Sequence, residues 1–204
     1  MALRILRIAF LALLAAGPAL ACRAPSGSDI LIPRDRINQA MLSRAILDEV
    51  NYVRCRKGRH ALTLAQDNLT NVALGHSTWM ASAGTMSHVG GRETGRTLTD
   101  RVRRAGLRPA TYAENLAFLP RYRFGGKPFR VADRASCQFM SVDGHRIGQH
   151  SYQSLAREVV TMWMKSPGHR RNLLDPSQRR MSAAASLSGE GYCGRFYVTQ
   201  IFTG

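Results

Sequence analysis

The 204-residue sequence has no apolar run long enough to cross a bilayer; the longest, at 8–16, falls well short of the roughly 20 residues a membrane helix requires. It has no two cysteines at the close spacing of a zinc knuckle, since Cys22, Cys55, Cys137 and Cys193 are far apart. No basic run is interleaved with aromatics, the arginines being scattered, so no nucleic-acid partner is expected. There is no G-x-S-x-G elbow and no H-E-x-x-H helix, which speaks against a conventional serine hydrolase or zinc protease. Ser87 beside His88 does not repair this, because adjacent residues rarely present their side chains to each other. No internal repeat is found.

What is present begins with an export leader. Residues 1–21 read as a signal peptide: Arg4 and Arg7 form the basic start, 8–16 the short apolar core, and Ala19-Leu20-Ala21 the small-x-small cleavage pattern. Cys22 follows directly, so a second reading makes it a lipidation candidate, although Ala19 stands where a lipobox carries leucine. Either way the mature chain is expected outside the cytoplasm: secreted, periplasmic, or anchored as a lipoprotein through Cys22. No transmembrane helix is expected in it. About 180 residues remain, enough for one domain. Two of the formal +16 charges belong to the leader, leaving +14, a surface suited to an anionic envelope component. Four cysteines in an oxidising compartment suggest disulfides in any of three pairings, with Cys137–Cys193 preferred.

Residues 22–36 mix Pro, Gly, Ser and charges and read as a tether; the folded domain is placed at 37–204. Leu42, Ile46, Val50 and Val53 recur at helical spacing and predict a helix ending before Gly58. A second is predicted over 66–83, stopped by Gly84, with His76 on its apolar stripe as a core residue. A short helical segment follows at 98–105, and 112–118 alternates as a strand would. Residues 119–151 show no persistent apolar period and read as a long surface insertion, fastened by Cys137, in which His145 and His150 are loop residues. A third main helix is predicted over 154–166, ended by Pro167 and Gly168, then a short helical turn at 169–174. Two strands at 181–188 and 193–202, joined through 189–191, close the chain as an antiparallel hairpin.

Three stretches put polar residues of ligand type beside tight turns: Met86-Ser87-His88, Ala113-Glu114-Asn115-Leu116-Ala117, and Trp163 through Ser166-Pro167-Gly168-His169 to Asn172. With the helix ending NYVRCRKG and the closing YVTQIF, their order resembles the bacterial branch of the CAP superfamily, which groups cysteine-rich secretory proteins, antigen 5 and pathogenesis-related proteins. The resemblance runs from about residue 42 to 202. It implies an α+β fold, an α-β-α sandwich with a central, mostly antiparallel sheet between helices. It also implies a cleft lined by two histidines and two acids, here His88, His169 and Glu114, with Ser166 at the position of the second acid. Glu158 cannot stand in for that acid, since it projects from a different part of the same helix.

Two imidazoles and a carboxylate can hold a divalent metal such as zinc, or work without metal as an acid/base pair. Asn115 and Asn172 are expected to serve the backbone. The leading expectation is a binding or interaction module of the cell envelope or extracellular space, with a lipid, glycan or protein as ligand. The alternative is a metal-assisted hydrolase using His88, Glu114 and His169.

Overall fold

The computed structural model describes residues 22–27, 29–189 and 191–204. The expected leader and the central residue of the 189–191 turn lie outside the described residues. Helix α1, Gln39–Arg56, starts where the Asn38 side chain accepts from Met41 N, and buries Leu42, Ile46 and Val50. Near its end Arg54 is fully buried and donates to Leu173 O and Asp175 O, carbonyls at the end of α5, Pro167–Leu174. A cation there meets the negative end of a helix and satisfies carbonyls left without intrahelical partners. Helix α2, Leu69–Ala83, starts later than its apolar spacing predicts because Asn68 takes the N-cap position; it ends as expected on left-handed Gly84 (φ 63°).

Helix α3, Leu98–Arg104, opens with a capping box between Thr97 and Asp100. Helix α4, Tyr152–Lys165, begins earlier than the sequence suggests because Ser151 caps it and Ser154 reciprocates. Pro167 ends α4 as expected, and also occupies the first turn of α5, where its missing N–H costs nothing.

The central sheet has the order β1-β5-β6-β2, from Thr63–Leu64, Arg180–Ser188, Arg195–Thr203 and Tyr112–Pro120. Only the two-residue β1, which the sequence reading lacks, pairs in parallel; the other pairings are antiparallel. Alternation along β5 and β6 splits the core into two layers. Met181, Ala183, Ala185, Phe196, Val198 and Phe202 pack with α1, α4 and α5. Ala184 and Ile201 instead pack against Leu69 and Ala73 of α2. Small residues along β5 let α2 lie close, and Ser77 Oγ bonds Ala184 O at 3.1 Å and Thr199 Oγ1 at 2.9 Å. The chain thus forms the expected α-β-α sandwich.

Two segments are more ordered than their composition suggests. Strand β2 extends to Pro120, and beyond it β3, Phe129–Asp133, and β4, Gln138–Ser141, form a hairpin. Tyr122, Phe124, Phe129 and Phe139 pack there as a small aromatic core, which Cys137–Cys193 ties to the turn before β6. Four aromatics at irregular intervals carry no period, so their convergence is a tertiary event. At the N-terminus, Ile32 is buried and donates to His150 O, and Cys22 is bonded to Cys55. A sulfur in a disulfide cannot also carry a diacylglyceryl thioether, so the lipidation candidate Cys22 is here a disulfide partner. Among the described residues no helix is long and apolar enough to cross a membrane.

Candidate functional site

The site is built on β2, the edge strand next to β6, where neighbouring residues point to opposite layers. Asn115 turns towards α5. Its Nδ2 donates to His169 O (3.3 Å) and Gln200 Oε1 (3.2 Å), and its Oδ1 accepts from Asn172 Nδ2 (2.9 Å). Asn172 also donates to Glu114 O, and Trp163 Nε1 to Leu116 O at 2.8 Å. Side chains from α4 and α5 thus occupy backbone acceptors of an edge strand. Asn115 and Asn172 do what was expected of them, fixing the corner that carries His169.

Glu114 turns the other way and is buried. Its Oε1 accepts from His88 Nδ1 at 2.8 Å and its Oε2 from Arg101 Nη2 at 2.5 Å, with the Arg101 side chain 2% exposed and that of His88 60% exposed. A carboxylate only accepts, so His88 Nδ1 carries a proton and donates it to Glu114. Arg101 Nη1 lies 3.3–3.5 Å from the carbonyls of His88, Gly95 and Arg96. One buried guanidinium therefore compensates the carboxylate and gathers the loop that carries His88.

That loop lies on the parallel rings of His76 and Trp79, whose centroids are 5.6 Å apart. A methyl on Gly90 would come 2.7 Å from Gly95 O, and one on Gly91 2.7 Å from Trp79 Nε1, so this approach requires glycine. His76 is fully buried, as expected of a core residue, with Nε2 donating to Ser87 O at 2.9 Å. Burial lowers its pKa, against the pull of the Glu114 charge, and so favours the neutral ring. The Ser87 hydroxyl accepts from Val89 N and shapes the turn.

His169, half-buried at the start of α5, also has a lowered pKa, first from burial and then from the His88 charge. Ser166 is the joint between α4 and α5 and makes no side-chain cap bond. The structure thus brings His88 and Glu114 into contact, carries His169 on a corner tied to β2 through Asn115, and puts at the fourth position a hydroxyl with no charge to offer.

These residues do not fit a zinc centre. Both oxygens of Glu114 are engaged, one by a guanidinium whose charge would repel a cation. Among the described residues no three His, Cys, Asp or Glu side chains form a group that could hold a metal ion. Glu158 lies elsewhere, 3.4 Å from His150 Nε2, and burial raises its pKa. His150 itself lies in the loop before α4, as expected, but is buried there. Arg101 was missed by the sequence reading. The Thr97-x-x-Asp100 capping box fixes the phase of α3, but nothing in the sequence says that Arg101 meets Glu114.

A three-layer sandwich of this topology, with a histidine-carboxylate pair against its edge strand, is a CAP-type domain. The chain belongs to the cysteine-rich secretory protein family, whose model matches residues 47–202. Among solved structures it is similar to an extracellular SCP-domain protein from Bacillus anthracis, with 22% identity, a TM-score of 0.53, and coverage of 81% of this chain and 41% of that one. It is also similar to an outer surface protein of Borrelia burgdorferi, with 14% identity, a TM-score of 0.56, and coverage of 84% and 98%. At these identities the likeness is one of fold. The chain spans about two fifths of the Bacillus protein's length. No curated protein matches the sequence.

Proposed function

We propose that the protein is an exported CAP-domain binding module that holds an amphipathic anion, an acyl chain with a charged head, between α1 and α4. The observation that carries this reading is a groove of about 720 Å³ there. Val53, Val160 and Met164 line it with apolar surface, while Arg56, Arg157 and Lys165 add positive charge. This volume falls within the usual range for small-molecule sites, and the pairing of apolar lining with cations suits a lipid better than a glycan. None of His88, Glu114 and His169 lines the groove.

Other features support the same reading. Two disulfides suit an oxidising compartment, as does the expected leader. The basic surface suits an anionic envelope. The surroundings of His88 suit binding better than hydrolysis, since Glu114 is engaged by Arg101 and Ser87 is spent on its own turn.

Titration of the oxidised mature protein with a fluorescent fatty acid tests the proposal. Saturable binding is expected, at least tenfold weaker in Val53→Trp/Met164→Trp and in Arg157→Glu/Lys165→Glu, and unchanged in His88→Ala/His169→Ala. Absence of saturable binding, or binding indifferent to the groove variants, overturns it.

A further inference from the structure

Segment 22–27 runs along the same groove. Cys22 is bonded to Cys55 in the last turn of α1, with Cα atoms 5.7 Å apart. Ala24 and Pro25 contribute to the groove wall. Further on, Pro25 O accepts from Arg157 Nη2 of α4 at 3.4 Å. Gly27 lies so close to Gln153 that a methyl there would meet Gln153 Oε1 at 1.7 Å. Gln153 and Arg157 both bond Glu49 Oε1 on α1, so the strap lies where the two helices are joined by a buried carboxylate.

The strap has no regular secondary structure, and the hydrogen bond that Pro25 O accepts from Arg157 is long and exposed. Such a contact holds little by itself. The disulfide is the covalent fastening. Both cysteines are half-buried and within reach of a small reagent, and Arg23, Arg56 and Lys57 adjoin them in sequence. Neighbouring cations favour thiolate, the species released and exchanged when a disulfide opens.

We propose that segment 22–27 is a disulfide-latched lid on the α1–α4 groove, which rests on the binding role proposed above. With Cys22–Cys55 closed, the strap restrains the wall made by Ala24 and Pro25 and the ligand exchanges slowly. A dithiol opens the latch: two electrons and two protons convert the S–S bond to two thiols, and the dithiol becomes its own disulfide. The strap then lifts as a unit of low local stability while the helices stay packed.

The test is the dissociation rate of a fluorescent fatty acid, measured by stopped-flow competition on oxidised mature protein whose disulfides are verified by intact mass. Cys22→Ser/Cys55→Ser is expected to release the probe at least tenfold faster than wild type. Cys137→Ala/Cys193→Ala, which leaves the latch intact, is expected to release it at the wild-type rate. Dithiol should accelerate release from wild type and leave Cys22→Ser/Cys55→Ser unaffected, which separates the latch from any folding defect of the variant. Equal release from wild type and the latch variant, with saturable binding in both, overturns the lid and leaves the groove reading standing. No saturable binding in either overturns the groove reading and the lid with it. A mass showing acylated Cys22 with Cys55 as a free thiol overturns the latch.

Discussion

Arg101 Nη2 lies 2.5 Å from Glu114 Oε2, and both side chains are almost wholly withdrawn from water. The ion pair joins α3 to the edge strand and, through Arg101 Nη1, to the loop that presents His88. Removing one member of such a pair strands the other charge in a poorly solvated place.

Arg101→Met is therefore expected to destabilise the protein by about 3–5 kcal/mol. The double variant Arg101→Met/Glu114→Gln should recover part of that loss, because the stranded charge goes with the carboxylate. Urea unfolding of the two variants and wild type measures this. Equal destabilisation by the single and double variants would show that the pair's charge is not what matters.

Trp163 is 1% exposed and donates through Nε1 to Leu116 O. Trp163→Phe keeps an aromatic ring but leaves that carbonyl without its donor, at an expected cost of about 1–3 kcal/mol. Amide exchange should accelerate in β2 more than in β5. Uniform acceleration across the sheet would instead point to a general packing defect.

The pH dependence centres on His150, 1% exposed, whose pKa is pushed down from 6.5 to about 4 by burial, with a smaller contribution from the Arg123 charge. The folded state binds this proton less readily than the unfolded chain. The stabilising contribution is thus complete above about pH 6.5 and is lost as pH falls towards 4, reaching about 3 kcal/mol. Glu158 lies 3.4 Å from Nε2, but burial raises its own pKa, so it becomes increasingly neutral over the same range. Urea midpoints between pH 7.5 and 4.5 should fall steeply in wild type and more gently in His150→Gln. Parallel slopes would refute the assignment.

Local signals made much of this molecule legible in advance. The 3.6-residue spacing of Leu42, Ile46 and Val50 marks α1, Gly84 stops α2, and the order of the His88, Glu114 and His169 stretches carries the family. Each is read along a few residues of chain. Non-local convergence was harder to read. Four scattered aromatics turn an apparently featureless insertion into a hairpin with its own core, and residues 22–27, read as a tether, lie against two helices.

The sequence by itself determined the helices, the closing strands and the family, because periodicity, caps and turn residues act over short distances. Only the tertiary structure decided what the polar residues do. It gave the carboxylate of Glu114 to Arg101 as well as His88, joined Cys22 to Cys55, and opened the groove between α1 and α4. The physical reason is that an ion pair, a disulfide and a groove depend on where distant segments meet, and burial then fixes the charge and partners of each group.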